Sequence, residues 1–357
     1  GLVGAAAYDI VRRFERLPNP HVATVPVGAW FAPASLLVFD HLTRRAALFH
    51  AGDESERASM RREVIRALQG GIPVRRRGGF EIPTASMSDD AFMGAVAKAK
   101  ENIAAGDVYQ LVLSSCFSGA SDVSPFEVYR ALRLLNPSPY MYFVELGDHS
   151  IAGSSPEALV RLRGRQAALR PIAGTRPRGA TAAEDEAHER ELLADPKEAA
   201  EHVMLVDLAR NDLGRVGVPG TIRVDPSRSV EPYSHVMHLV SGVVGELEEG
   251  RDAFDLFAAA FPAGTLVGAP KIRAMELIDG YEPTDRGFYA GTVGYFDRDG
   301  GMDQAIAIRT IVFDQSGYSY QAGAGIVADS VPERELAEVL SKGAILRNAL
   351  EIAREGL

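Results

Sequence analysis

The chain has 357 residues, of which 46% are hydrophobic, and a formal net charge of −10. This composition excludes a disordered chain, and no uncharged apolar run reaches the roughly 18 residues of a membrane-spanning helix. The acidic balance gives no broad basic field for nucleic acid, and a single cysteine, Cys116, excludes an internal disulfide. We therefore expect a globular cytoplasmic protein with neither nucleic acid nor membrane as a partner.

The first elements along the chain are an arginine-rich loop and a helix. Three arginines followed by two glycines at residues 75–79 predict an exposed loop. Ser88 and the two aspartates after it then begin a helix, because apolar residues recur at helical spacing as far as Gly106.

Two further helix starts carry proline in the first turn. Ser124 and Pro125 begin one helix, and Glu127 is placed to complete a capping box with Ser124. Asp195 and Pro196 repeat the pattern and begin a helix that carries Glu201.

Strand-like runs separate these helices. They lie at residues 109–117, 141–146, 167–172, 290–296, 305–313 and 318–322. Several follow one another with only a turn between them, as at residues 314–317, which favours antiparallel pairing. The sequence therefore predicts an α+β fold of packed antiparallel β-sheets flanked by α-helices.

The last helix carries acidic residues at a helical repeat. The pattern from Ser330 to Glu333 predicts a capped start, which places Glu335 and Glu338 on one face with Lys342 one turn beyond. A solvated charged face is the simpler interpretation. The glycine-rich run at residues 321–325, immediately before the helix, instead favours an anion site, since backbone N–H groups there can approach a ligand closely.

Glu201 and Arg309 are further candidates for ligand binding. Glu201 is a possible ligand of a hard cation such as Mg²⁺, with a salt bridge to a nearby base as the alternative. Alternation in the run 305–313 places Arg309 on one strand face between small alanines. A bidentate carboxylate clamp and a structural salt bridge fit Arg309 equally well. From the residues alone, the chain is an α+β enzyme with an anion and metal site.

Seven separated blocks resemble the chorismate-utilising enzymes, which include anthranilate, aminodeoxychorismate, isochorismate and salicylate synthases. They occur in the family's order at residues 153–157, 171–179, 200–212, 234–238, 261–265, 289–295 and 321–338. So many blocks in order are far more specific than one short motif. The resemblance implies a chorismate-binding catalytic domain at residues 86–357, with residues 1–85 as the remainder of an N-terminal regulatory region packed on it.

The resemblance implies a metal site beside a substrate site. It makes Glu201 and Glu338 the Mg²⁺ ligands, with Glu335 close by and acting through water, and the metal holds the ring carboxylate of chorismate. The substrate contacts that it implies are Arg309, Tyr289 and the backbone of Gly323, Ala324 and Gly325 at the enolpyruvyl carboxylate, and Gly174 and Thr175 at the ring.

The resemblance also assigns proton transfer. Glu157 matches the general acid that protonates the departing C4 hydroxyl, a role that requires a carboxyl kept neutral near pH 7. His238 and Thr265 match polar residues beside the ring and are expected to form hydrogen bonds and handle protons.

Two positions distinguish among members of the family. Gln110 stands where isochorismate and salicylate synthases carry a lysine base, and glutamine cannot activate water, so ammonia is the expected nucleophile. Ala173 stands where aminodeoxychorismate synthases carry a nucleophilic lysine. The implied function is that of the anthranilate synthase large subunit, which aminates chorismate at C2 and eliminates pyruvate in tryptophan biosynthesis.

Three alternatives stay open. The chain could stop at 2-amino-2-deoxyisochorismate, could form aminodeoxychorismate, or could be a catalytically silent relative that binds chorismate-like anions or a partner. The retained acid and metal ligands argue against the silent relative.

The resemblance further implies a partner and an inhibitor. Cys116 has no base suited to glutamine hydrolysis, so ammonia is expected from a glutamine amidotransferase subunit in a hetero-oligomer. Pro139, Tyr140 and Met141 match part of a tryptophan pocket, and an N-terminal segment that contributes the rest is expected to be missing. Cys116 also replaces a basic residue usual in the family.

Overall fold

The computed structural model describes residues 1–18, 23–71, 78–233 and 236–356. The arginines of the predicted loop at residues 75–79 lie outside these ranges, as do Ser234 and His235 of one resemblance block. In the described part of the chain, no helix is long and apolar enough to cross a membrane.

The helices begin close to where the sequence predicts them. Side-chain caps satisfy amides that lack a partner within the helix: Ser88 accepts from the N–H of Ala91, and Asp195 accepts from those of Lys197 and Glu198. The helices are α1 (Glu54–Gln69), α2 (Asp89–Ala104), α3 (Pro125–Leu135), α4 (Ala182–Ala194), α5 (Pro196–Gly214), α6 (Ala253–Ala260), α7 (Gly264–Val267), α8 (Lys271–Tyr281) and α9 (Pro332–Glu355), with a 3₁₀ turn at Tyr8–Arg13.

Two of the predicted caps are wrong. Ser124 makes no capping bond to α3, and Glu127 instead accepts a bond from Arg130 at 2.7 Å. α9 follows Val331, while the Ser330 hydroxyl accepts from the N–H of Val327 in the preceding turn. Both helices have proline in the first turn, where its fixed φ favours helix and its missing N–H costs nothing.

The strands are almost all short and closely spaced in sequence. Their bounds are β1 (Leu2–Ala6), β2 (Gly28–Phe31), β3 (Ser35–Asp40), β4 (Arg45–His50), β5 (Thr84–Ala85), β6 (Gln110–Gly119), β7 (Tyr140–Leu146), β8 (His149–Ser155), β9 (Ala158–Arg163), β10 (Gln166–Leu169), β11 (Ile172–Pro177), β12 (Arg223–Val224), β13 (Ser229–Pro232), β14 (Val236–Val240), β15 (Val243–Glu246), β16 (Gly268–Ala269), β17 (Thr292–Phe296), β18 (Met302–Ile306), β19 (Thr310–Asp314) and β20 (Gly317–Ile326).

Two large antiparallel sheets organise these strands. One has the order β12-β15-β10-β9-β18-β17-β1-β2, and the other has β16-β6-β20-β19-β8-β7, with β5 also paired to β6. Smaller sheets join β11-β14-β13 and β3-β4. Leu113 of β6, Val160 of β9 and Leu346 of α9 belong to one hydrophobic cluster, so both large sheets and the last helix share a core. The predicted α+β fold of antiparallel sheets flanked by helices is confirmed.

Two of the predicted strands are interrupted. The run 167–172 ends its first strand at Leu169, and Pro171 precedes a new strand, β11, in a different sheet. The run 305–313 breaks at residues 307–309, where Arg309 has a φ of 51°. The predicted placement of Arg309 on a strand face is therefore wrong; it lies in the turn between β18 and β19.

The first 85 residues share sheets with the rest of the chain. β1 pairs along its whole length with β17, and β5 pairs with β6. The division into residues 1–85 and 86–357 stays a prediction, because these strand pairings join the two parts.

Candidate active site

A pocket of about 670 Å³ opens between β20, β11, β14 and α9. Its wall collects side chains from sequence blocks far apart in the chain. Ten of the predicted site residues line it: Glu157, Gly174, Thr175, His238, Thr265, Tyr289, Arg309, Gly323, Gly325 and Glu338. Gln110, Ala324, Glu201 and Glu335 are not among the lining residues.

Glu157 is a carboxyl group in this pocket with a strongly altered ionisation. Burial raises its pKa from 4.5 to about 7, although Thr265 and the charge of Arg309 act in the opposite direction. The Thr265 hydroxyl donates to Glu157 Oε1 at 3.0 Å. A carboxyl that is half protonated near neutral pH can deliver a proton to a leaving group.

His238 lies on β14 opposite Thr175 of β11, next to a register shift in the pairing. Gly174 occupies the irregular position with a φ of 62°, which favours glycine. The His238 Nδ1 is 3.0 Å from the Gly174 carbonyl and 3.1 Å from the Thr175 hydroxyl. Burial lowers the pKa of His238, so the ring is neutral at pH 7. An Nδ1–H bonded to the carbonyl leaves Nε2 as a proton acceptor.

Arg309 and Tyr289 form the cationic part of the pocket. Within the described residues, the Arg309 guanidinium makes no hydrogen bond or ion pair, and its partial burial lowers its pKa. Tyr289, Glu157 and Glu338 oppose that shift by attraction. A half-buried arginine without a partner is suited to bind an anion in two-point geometry.

The glycine-rich run lies within β20, so the strand predicted at residues 318–322 extends as far as Ile326. Gly323 and Gly325 face the pocket, while Ala324, 1% exposed, packs into the core on the other strand face. A Cβ on Gly323 would lie 2.7 Å from the Tyr289 hydroxyl, and one on Gly325 would lie 2.7 Å from Gln110 Nε2. Both glycines thus let neighbouring side chains approach the strand backbone.

Glu338 of α9 lines the pocket, whereas Glu201 of α5 and Glu335 of α9 lie outside its lining. The Gln110 amide donates to Glu201 Oε1 at 3.3 Å, and Lys342 Nζ lies 2.7 Å from Glu338 Oε1. Burial raises the pKa of Glu201, and Glu338 adds to that shift. Burial also raises the pKa of Glu335, again with a contribution from Glu338. In the part of the chain that the structure describes, no three His, Cys, Asp or Glu residues form a ready-made metal cage.

Residues 1–348 match the family model described as chorismate binding enzyme. The chain belongs to this family. Anthranilate synthase component 1 of Thermus thermophilus is 49% identical over 363 residues, which cover 100% of this chain and 79% of the relative. The same component of Aquifex aeolicus is 46% identical over 372 residues, covering 99% and 75%. The crystal structure of anthranilate synthase component I from Streptococcus pneumoniae has a TM-score of 0.86 at 36% identity, covering 97% of this chain and 80% of that chain.

This chorismate-binding enzyme has pocket residues that the motifs did not single out as site residues. Lys342 donates to Glu338 and to the Gly323 carbonyl at 2.9 Å, and Gln321 lines the pocket beside Gly323. The spacing of four residues between Glu338 and Lys342 was the available signal. No sequence signal pointed to Gln321, because its position in the pocket depends on strand pairing across the sheet.

The residues predicted to bind an inhibitor lie apart from this pocket. The Tyr140 hydroxyl donates to Asp303 at 2.9 Å and accepts from Arg161, whose guanidinium carbon is 5.4 Å from the centre of the Tyr140 ring. Pro139 and Met141 flank Tyr140 at the start of β7. Their binding of tryptophan stays a prediction.

Proposed function

We propose that this chorismate-binding enzyme is an anthranilate synthase large subunit, which aminates chorismate at C2 with ammonia and eliminates pyruvate in tryptophan biosynthesis. One observation carries the proposal: a buried carboxyl, Glu157, shares a pocket with the unpaired guanidinium of Arg309. Chorismate is a dianion with a hydroxyl to expel, so its conversion needs both a cation and an acid. The names of the most similar relatives support the same assignment.

The enolpyruvyl carboxylate is assigned to Arg309, the Tyr289 hydroxyl and the backbone of Gly323 to Gly325. Tyr289 is buried, and burial raises its pKa, so its hydroxyl stays protonated and can donate to an anion. Thr175 and Gly174 lie beside His238 and are assigned to the ring. A rigid set of donors holds the substrate so that the reacting atoms stay aligned.

Glu157 supplies the proton for the first step. Ammonia forms a bond to C2, the two ring double bonds shift to C1=C6 and C4=C5, and the C4–O bond breaks as Glu157 protonates the departing hydroxyl, which leaves as water. The new ammonium group then loses a proton to solvent. In the second step the C2 proton is removed and the C3–O bond to the enolpyruvyl group breaks, which makes the ring aromatic. The enolpyruvate that departs takes up a proton at its methylene carbon and becomes pyruvate. The neutral His238, with Nε2 as an acceptor, is assigned the proton removal.

Mg²⁺ is proposed to be held by Glu201 and Glu338, with Glu335 acting through water. The donor set fits this ion, since carboxylate oxygens are its preferred protein ligands. Burial and the charges of Glu198 and Glu338 raise the pKa of Glu201, and a divalent cation would favour its ionised form. Such an ion would neutralise the ring carboxylate of chorismate.

The nucleophile is proposed to be ammonia because Gln110 offers no base for activating water. Gln110 is buried beside Glu201, and its Oε1 has no partner in the described structure. We assign the ammonia supply to a glutamine amidotransferase subunit in a hetero-oligomer. Cys116 supports this division, since burial raises its thiol pKa to about 11 and a nucleophilic cysteine needs the opposite.

Two related activities are the main alternatives. Ala173 on β11 lines the pocket and has no amine for a covalent ring adduct, which disfavours aminodeoxychorismate formation. An enzyme that omits the elimination would release 2-amino-2-deoxyisochorismate. Tryptophan inhibition through Pro139, Tyr140 and Met141 is a further proposal, and unchanged activity at saturating tryptophan would contradict it.

The proposed function is tested by incubating the purified chain with chorismate, Mg²⁺ and ammonium, then identifying the ring product by mass and assaying pyruvate. Anthranilate with equimolar pyruvate is expected. A ring product that contains nitrogen but retains the enolpyruvyl group favours the alternatives, and isochorismate would contradict the role given to Gln110. Glutamine should not replace ammonium unless the amidotransferase subunit is added.

A further inference from the structure

A buried ion pair behind the pocket contacts several of its wall segments. Glu282 follows α8, Arg286 lies four residues later, and their side chains are 3% and 2% exposed. Arg286 Nε donates to Glu282 Oε2 at 2.9 Å, and Nη2 donates to Oε1 at 2.7 Å. This two-point geometry fixes the plane of the guanidinium.

The other donors of Arg286 reach the backbone of the pocket wall. Nη1 donates to the Leu266 carbonyl at 2.7 Å, and Nη2 donates to the Val112 carbonyl at 3.0 Å; both residues line the pocket. Leu266 directly follows Thr265, whose hydroxyl donates to Glu157. The guanidinium therefore anchors the segment that carries the hydrogen-bond partner of the acid.

The carboxylate of Glu282 holds a second part of the wall. Its Oε1 accepts from the Ser114 N–H at 2.9 Å and from the Ser114 hydroxyl at 2.7 Å. Because that hydroxyl proton is used, Ser114 Oγ acts as the acceptor for Gln321 Nε2 at 2.8 Å. This order of donors fixes the orientation of the Gln321 amide. The Arg286 guanidinium also contacts the Tyr289 ring, whose centre lies 5.5 Å from it.

We propose that Arg286 and Glu282 are positioning residues for the amination of chorismate. They hold Thr265 against Glu157 on one side of the pocket and orient Gln321 and Tyr289 on another. A buried ion pair is weak evidence for a role in stability alone. The side-chain hydrogen bonds from this pair to other residues end on the pocket-lining Leu266 and Val112 or on Ser114, which in turn orients the pocket-lining Gln321. The proposal rests on the proposed function of the pocket.

The first test is Arg286→Lys, which keeps the charge but cannot make the same set of bonds to Glu282, Leu266 and Val112. We expect kcat for ammonia-dependent turnover to fall at least about tenfold, as small misplacements of reacting groups do. The descending limb of the pH profile should also move to higher pH, because the Thr265 hydrogen bond opposes the rise in the pKa of Glu157. A merely structural role would lower the melting temperature without moving that limb.

A second variant separates the two sides of the proposal. Ser114→Ala removes the link between Glu282 and Gln321 and leaves the bond from Arg286 to Leu266 in place. We expect a higher KM for chorismate with the pH limb unchanged. The matched control is Arg12→Lys, which alters the ion pair of Arg12 with Asp279 of α8, at 2.9 Å, outside the pocket wall. This control should keep the wild-type kcat and pH limb.

The proposal would be overturned if Arg286→Lys kept the wild-type kcat and pH limb. It would also be overturned if Arg12→Lys, at an equal loss of melting temperature, showed the same lower kcat and shifted limb as Arg286→Lys. If the wild-type enzyme makes another ring product from chorismate, the proposed function fails and the positioning test still stands, because each variant is compared with wild-type turnover. A wild-type chain without any turnover of chorismate would overturn both.

Discussion

Glu157 shows how one side chain takes on its chemistry from its surroundings. A carboxyl in water ionises well below neutral pH, whereas burial brings the pKa of Glu157 to about 7. Thr265 and Arg309 limit that shift, and the three residues lie far apart in the sequence. The motifs identified these residues, but their contacts depend on strand pairing, which no local pattern specifies.

Glu157→Gln is expected to lower kcat by about 10²-fold or more, because general acid catalysis contributes about 10²–10⁴-fold. Binding of chorismate should change little, since glutamine keeps the size of the protonated acid. Steady-state kinetics over the pH range 6 to 9 check this, and the wild-type kcat should fall as pH rises through about 7. Glu127→Gln, at a buried glutamate of α3, is the control. An equal loss in both variants would contradict the role of Glu157.

The same shift predicts an effect on stability. Because the folded-state pKa of Glu157 lies above 4.5, the native protein binds more protons than the unfolded chain between pH 4.5 and about 7. The free energy of unfolding that neutral Glu157 contributes is therefore lost as pH rises through that window. Glu157→Gln should exceed the wild type in unfolding free energy by about 2 kcal/mol at pH 8, with a smaller difference at pH 5. Denaturant titrations at both pH values measure it, and a pH-independent difference would contradict the shift.

Elements were predicted best where local signals act alone. Ser88 and Asp195 cap their helices as expected, since a cap needs only its own turn. The break before Arg309 was missed because its run of apolar residues has strand character throughout, and only the tertiary site requires the turn. The strand at residues 318–322 was predicted to end too early for a related reason: pairing with β6 keeps Gly323 and Gly325 in the strand despite their low strand propensity.

The glycines give a test at the scale of the strand. Gly323→Ala should lower kcat/KM at least about tenfold, because its Cβ would lie 2.7 Å from the Tyr289 hydroxyl and 2.8 Å from the Leu113 carbonyl. Gly94→Ala, within α2, meets no atom within 4 Å. It should raise stability by about 0.5–1 kcal/mol and leave kcat/KM unchanged. Equal kinetics in the two variants would remove Gly323 from the substrate site.

At the scale of the whole molecule, Glu338 of α9 lines the pocket and its charge helps to raise the pKa of Glu201 on α5, although the two glutamates are far apart in sequence. Antiparallel sheets and flanking helices followed from strand spacing, but a shared metal site of Glu201 and Glu338 was expected only from the resemblance and stays a prediction. The sequence could not identify Arg286 and Glu282 as positioning residues, because the residues that they bind lie on a distant strand.

Removal of divalent ions tests the proposed metal site. Dialysis against EDTA should abolish turnover and Mg²⁺ should restore it. Glu201→Gln and Glu338→Gln should each raise the Mg²⁺ concentration for half-maximal activity by about tenfold or more, the scale at which even outer partners of metal ligands act. Glu351→Gln, farther along α9, is the control. Full turnover after exhaustive chelation would contradict a role for Mg²⁺.

The most direct test of the central claim follows the nitrogen atom. The enzyme is supplied with chorismate, Mg²⁺ and ¹⁵N-labelled ammonium, and the ring product and pyruvate are quantified over time. The account predicts labelled anthranilate and pyruvate formed in equal amounts from the start of the reaction. A ring product without the label, or labelled product without pyruvate, would contradict it.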